Sequence, residues 1–429
     1  MGHRHRTIWA ALVLFASLAT IAGACSSSGS KSTSTTSGAA PTTSAGGAPT
    51  SAASTKPFTF GMLLVGPYND HGWSQANYEA GQYVVQKLGG PSKAKLIFLD
   101  KVNSSDRPST KPEDVITSMI NQGAQLVIAT SDDFKDSIIA AAKQHPNVPM
   151  VWSSGDSAWS AGKDYQSSIT NLANYYMKME YMQETAGCAA ALTTQTGKIG
   201  VVGPLINDET RRFVNAAYLG AKYCWTTYRN QPASSLGFNV KWIGFWFNIP
   251  GTTLDPTQVT NDLFNSGADV VMDHLDTTEA LVRTQQLSQA GKKVWAVGYD
   301  YKDTCSVAPS ICLGVAFFNW GPGYLKIAQS VMNGTFKAGF TWDSPDWTNV
   351  NNTDTSPVGF LKGQALSSDN EATLTKFMAG LGNGSINLFQ GPLNWQDGST
   401  YLPAGQTASD AQIWYSGQLL QGVTGASKS

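Results

Sequence analysis

Neither sign of charge is in surplus in this 429-residue chain, where 29 Lys and Arg stand against 30 Asp and Glu. No Lys/Arg stripe runs through its body, so nucleic acid is not an expected partner. Histidine is scarce: five in all, two of them (His3 and His5) at the very start. The pairs Asp70-His71 and Asp273-His274 have no short-range second ligand pattern, and no Cys-rich spacing occurs, so no metal is expected. No G-x-G-x-x-G opens a helix after a strand, which removes support for a dinucleotide. GLGNG at 380–384 reads instead as a turn before a β-like segment. Neither G-x-S-x-G nor H-E-x-x-H occurs, and no cysteine has an evident base, so a hydrolase lacks its nucleophile. No cofactor and no catalytic residue is expected.

What is present begins with an export signal. Arg4 and Arg6 precede an apolar run, Ile8 to Ile21, that is short for a membrane span. The run ends in Ala22-Gly23-Ala24-Cys25, which looks like a bacterial lipobox with Cys25 as the lipidated residue. It departs from the usual pattern by having Ala22 where Leu or Val is common. An ordinary signal peptide cleaved nearby is the alternative. Residues 26–57 are almost purely Ser, Thr, Gly, Ala and Pro, with nothing to bury, and read as a flexible tether. A lipid-bearing Cys followed by a tether implies a membrane-anchored extracytoplasmic protein.

Setting Cys25 aside leaves Cys188, Cys224, Cys305 and Cys312, an even number in an oxidising compartment. They allow three pairings. Cys305–Cys312 closes a short loop and Cys188–Cys224 ties two helices of one lobe, which is the favoured arrangement. The alternative is four small buried hydrophobes.

The body is 41% hydrophobic and 14% charged over the whole chain, and is too long for one core. From Phe58, short β-branched runs alternate with helical patterns: FTFGMLLVG, AKLIFLDKV, AQLVIAT and VPMVWSSG, each followed by a helix-length segment. After a long helix over NLANYYMKMEYMQETAGCAAALTT, a second set runs KIGVVG, VKWIGFW, ADVVMDH and KKVWAVGYD. Strands alternating with helices make βαβ units and parallel sheets. The expected fold is α/β, two Rossmann-like lobes joined by a hinge. The lobes span 58–170 and 171–300, and 301–429 supplies hinge crossovers, a helix and a C-terminal hairpin. Ligands bind beyond the carboxyl ends of such strands, and those loops are rich in rings and acids, as suits a flat guest.

The strings GPYNDHGWSQANYEAGQYV, ATSDDFKDSIIAAAKQHPNV, IGFWFNIPGT, ADVVMDHLDTT, VWAVGYD, FFNWGPGYLKIAQSVMNGTF and GPLNWQDGSTYLPAGQTASDAQIWYSGQLLQGV occur in order from about 58 to 424. Together they resemble the basic membrane protein family of substrate-binding lipoproteins, in the type I periplasmic-binding-protein fold. The resemblance implies a purine nucleoside or base held between two lobes and delivered to an ABC permease and its ATPase. It places ligand contacts on Asn69, Asp70 and Trp73; on Asp136; on Ser154 and Gly155; and on Trp246, Asp273, Asp276 and Asp300. Asp132 and Asp133 stand where relatives carry an aromatic and a Gly.

Each position also has a purely structural role available. Asp70 can cap the following helix, and Asp136 suits a helix N-terminus through the dipole alone. Strand alternation would send Trp246 and Phe247 to opposite faces, so only one can meet a ligand. Trp320, before Gly-Pro-Gly, is expected at the hinge. Two other functions fit the same cleft: a surface sensor of another small polar ligand, and a nucleoside-acting enzyme.

Overall fold

The computed structural model describes residues 56–428. Cys25, the leader and nearly all of the tether therefore lie outside the described residues. Five strands and three helices come first: β1 (Phe58–Leu63), α1 (Trp73–Lys87), β2 (Ala94–Leu99), α2 (Pro112–Asn121), β3 (Leu126–Ala129), α3 (Lys135–Gln144), β4 (Met150–Trp152) and β5 (Leu172–Met177). Next are α4 (Glu180–Thr193), β6 (Lys198–Gly203), α5 (Asp208–Thr227), β7 (Gly237–Trp242), α6 (Pro256–Asn265), β8 (Val270–Asp273), α7 (Glu279–Gln289), β9 (Trp295–Asp300) and β10 (Cys312–Phe318). The chain ends with α8 (Gly321–Met332), β11 (Phe340–Asp343), β12 (Val358–Lys362), α9 (Ser368–Gly382), β13 (Leu393–Asn394), β14 (Thr400–Leu402), α10 (Asp410–Trp414) and β15 (Val423–Thr424).

These strands form two main sheets. The first runs β11-β5-β4-β3-β1-β2 and is parallel throughout. The second runs β12-β10-β9-β8-β6-β7-β15, with only the β10–β12 pair antiparallel. Most of the interior strands are buried at every residue, as expected where helices cover both faces of a parallel sheet.

Two expectations need correction. The segment read as one long helix is strand β5 followed by α4, so the first lobe extends to Met177 rather than ending at 170. Leu172–Met177 is buried at every position between β4 and β11, and such a continuous apolar run carries no period that separates strand from helix. Likewise Gly380–Gly382 close α9 instead of forming a turn.

The chain crosses between the lobes at three places: Met177 to Glu180, Phe318 to Gly321, and Asp343 to Val358. The flanking strands are neighbours in each sheet, β5 beside β11 and β10 beside β12. Trp320 is fully buried at the second crossing, stacked between Phe318 and Tyr324.

Helices α4 and α5 are held unusually close. A Cβ at Gly187 would lie 1.9 Å from the Ala217 carbonyl oxygen, and one at Gly220 the same distance from that of Glu184. The Cys188–Cys224 disulfide joins this pair, and Cys305–Cys312 closes the loop before β10. The C-terminal segment wraps α5: Arg212 donates to the Trp414 carbonyl at 2.9 Å, and Asn215 bonds Gln418 and Leu420. Among the described residues, no helix is long and apolar enough to cross a membrane.

Candidate functional site

The carboxyl ends of both sheets face one cleft, in which the two walls close to leave little enclosed space. Its first-lobe wall is Trp73 from the start of α1, Ser131 and Asp132 after β3, and Ser154 after β4. Its second-lobe wall is Pro204, Glu209, Thr210 and Phe213 around the start of α5, Trp246 after β7, His274 and Asp276 after β8, and Tyr299 in β9.

Local sequence explains how these loops are held. Asp70 accepts the backbone N–H groups of Gly72, Ser74 and Gln75, capping α1 and fixing Trp73 on its first residue. The Trp73 indole N–H donates to the Thr130 carbonyl. Its ring packs edge-on against Phe318 and Trp320, with centroids 5.3 and 5.2 Å away. The cap of α5 is reciprocal: Asn207 accepts from the Thr210 backbone while Thr210 accepts from that of Asn207. That places Glu209 in the first turn of the helix, where it lines the cleft. After β7 the chain leaves the strand at Trp242, so Trp246 and Phe247 sit in a loop. Trp246 lines the cleft, while Phe247 packs edge-on with Phe245.

The lining carries three carboxylates and no Lys or Arg. Burial pushes Asp132 up to about 7, with Glu209 and Asp133 adding to the effect. Glu209 is also raised by burial, opposed by Arg212, and accepts the Tyr176 hydroxyl at 2.7 Å. Asp276 is raised well above the carboxylate range by burial and then by Asp70 across the cleft. Behind it, Asp300 is fully buried with neither carboxylate oxygen bonded, and is raised by burial and by Asp276. His274 is neutral, its pKa lowered by burial to about 3, and its Nε2 has no hydrogen-bond partner among the described residues. Carboxyls raised this far hold their protons toward neutrality, so the site presents O–H donors as well as acceptors.

Of the positions expected from sequence, Trp73, Ser154, Trp246 and Asp276 line the cleft. Asp70 serves the α1 cap at its edge and is pushed up to about 6 by burial. Asp300 is in the layer behind. Gly155 makes the turn beside Ser154 with φ of 60°, directly beneath the Trp152 ring. Asp273 is buried outside the lining, one oxygen accepting from the Leu275 backbone at 3.2 Å. Asn69 is exposed and does not line the cleft. Asp136 is exposed on the first turn of α3 and does not line the cleft, whereas Asp132 does. The reason is local: the Ser131 hydroxyl caps a short 3-10 turn at Asp132–Phe134, which brings the loop's acids to the cleft one turn earlier.

Sequence reasoning missed Glu209, Thr210 and Phe213, which line the cleft beside His274. The capping pattern Asn207-x-x-Thr210 after β6 was the available signal for where α5 starts, but not for which of its residues face the cleft.

Residues 58–344 match the family described as ABC transporter substrate-binding protein, PnrA-like. The chain belongs to that family. Its members are binding components, not enzymes, and act outside the cytoplasm. A purine-binding protein of Brucella abortus (strain 2308) is 26% identical over 356 residues, covering 82% of this chain and 89% of that one. Among solved structures, a solute-binding protein of an ABC transporter system from Aeropyrum pernix K1 is similar with a TM-score of 0.59 at 13% identity, covering 77% of this chain and 93% of that one. One from Conexibacter woesei gives 0.53 at 16% identity, covering 77% and 97%. These two establish the type I periplasmic-binding-protein fold.

Proposed function

We propose that this substrate-binding protein captures a purine nucleoside or purine base in the interlobe cleft and passes it to an ABC permease. The observation that carries the reading is the pairing of Trp73 and Trp246, one from each lobe, in a cleft whose charged groups are all carboxylates. Indole rings give a flat heterocycle faces to pack on. Asp132, Glu209 and Asp276 offer carboxyl oxygens to ring N–H, exocyclic amino or ribose hydroxyl groups, and in the protonated form they also donate to ring nitrogens. A phosphate would find no Lys or Arg in the lining to balance its charge, so nucleotides are disfavoured. The purine-binding name of the Brucella relative supports the same ligand class.

Differential scanning fluorimetry against purines, nucleosides, nucleotides, sugars and amino acids tests this. Thermal shifts confined to bases or nucleosides are expected; a shift with sugars alone rejects the ligand while keeping the fold. Anchoring through Cys25 is part of the proposal and rests on the lipobox-like segment and tether. A Cys25→Ala protein should leave the membrane fraction, and retention there would reject the lipid anchor.

A further inference from the structure

Beside the ligand cleft, the turn before α1 and the first two turns of that helix meet the second lobe at three separate points. At the first, Gly72 lies so close to Asp276 that an added Cβ would stand 1.8 Å from the Asp276 carbonyl oxygen and 2.4 Å from its carbon. At the second, the Thr304 hydroxyl donates to the His71 carbonyl at 2.9 Å, with His71 in the left-handed region at φ of 57°. At the third, the Tyr301 hydroxyl donates to Glu79 at 2.6 Å and accepts from the Gln75 side chain at 3.0 Å, while Lys302 lies 3.7 Å from the other Glu79 oxygen. None of Gln75, Glu79, Tyr301 or Thr304 lines the ligand cleft.

We propose that this face of α1 is a closure clamp that fixes how long a bound solute is retained, with Tyr301 and Gly72 as its positioning residues. The proposal rests on the solute-capture reading above. Closure by hinge motion buries the ligand, so contacts made only in the closed form slow release without touching the guest. Each of the three contacts joins the first lobe to the turn after β9 or the loop after β8, and an opening that separates those elements has to break it. Two features make them geometric, not merely additive. The Asp276 N–H donates to the Trp246 carbonyl at 3.0 Å, so whatever seats Gly72 against Asp276 also sets the loop that carries Trp246. The Tyr301–Thr304 turn runs straight into Cys305, whose disulfide to Cys312 ties it to β10. The clamp therefore bears on a fixed part of the second lobe.

The test uses the full chain, with guanosine, inosine and adenosine as probes, and reads both binding kinetics and small-angle scattering. Tyr301→Phe keeps the ring and removes the hydroxyl; Gly72→Ala adds only the methyl that the closed form excludes. Gly339→Ala, where nothing lies within 4 Å of an added Cβ, is the control. Dissociation is expected to accelerate tenfold or more in both clamp variants, with association within twofold of the wild type, and the nucleoside-bound forms to be more expanded. A loss expressed mainly in association would mean a damaged pocket and would overturn the clamp. So would variants that match the wild type in release rate and in scattering. If no nucleoside compacts the wild type, the purine assignment fails by itself. The clamp is then judged on ligand-free scattering: more expanded variants support it, and identical curves reject it.

Discussion

The indole N–H of Trp246 lies 3.3 Å from the Asp133 carboxylate, a hydrogen bond that joins the second lobe to the first across the mouth of the cleft. The ring offered to a ligand by one lobe is thus oriented by the other. Removing it should weaken nucleoside binding at least tenfold, or about 1.4 kcal/mol. Trp246→Phe, which keeps a stacking face but loses the bond to Asp133, should fall between. Isothermal titration with the nucleoside that gives the largest thermal shift reads both. Unchanged affinity in Trp246→Ala would remove the ring from the site.

The acids gathered at the cleft make ligand-free stability depend on pH in a defined direction. Asp70 and Asp132 ordinarily titrate near 3.8 and here are pushed up to about 6 and about 7. A raised carboxyl means that the folded chain holds protons that the unfolded chain releases. The stabilisation is complete below about pH 4 and is lost as pH rises through 6 to 7. The midpoint of thermal unfolding should therefore fall between pH 5 and pH 8, and Asp132→Asn should flatten part of that slope. A midpoint that climbs over the same interval would contradict the assignment.

Much of this arrangement was legible in the sequence. Strands such as β1 and β3 announce themselves as short apolar runs ended by turn residues, and the loops after them are where ring and acid side chains cluster. β5 was not legible: LANYYM has apolar and aromatic side chains on both faces, so it shows neither alternation nor a helical stripe. The position of Asp132 over Asp136 was hidden as well, because which acid faces the cleft depends on a single hydroxyl cap at Ser131. Glu209 and Phe213 belong to a helix face whose direction is set by the packing of α5 on α4, which no local pattern reports.

Gly155 is a sensitive point of the first lobe. Its φ is 60°, and a Cβ there would meet three Trp152 ring atoms at 2.1 to 2.4 Å. The Trp152 indole is itself tied to the Ser131 carbonyl at 2.9 Å, so it has little room to move. Gly155→Ala should cost about 1–3 kcal/mol of folding stability, measured by urea unfolding. Because Ser131 and Ser154 both line the cleft, nucleoside affinity should drop with it. A variant as stable as the wild type would show that this turn can rearrange.

The two disulfides should differ in weight. Cys188–Cys224 spans 36 residues and Cys305–Cys312 only 7. Loop-closure entropy predicts losses of roughly 4 and 2.5 kcal/mol for opening them. Paired Cys→Ser variants unfolded in urea give the comparison. The shorter loop's removal should bear more on ligand release, since it frees the turn carrying Tyr301. Equal release rates in the two double variants would separate that turn from retention.

The three crossings between the lobes lie side by side, on strands that are neighbours in both sheets. Three parallel plies resist shear and twist while leaving bending about the line that runs through them. The lobes accordingly have one easy coordinate, an opening angle. A permease that meets both lobe tips can then read occupancy as a single distance, whatever molecule sits inside.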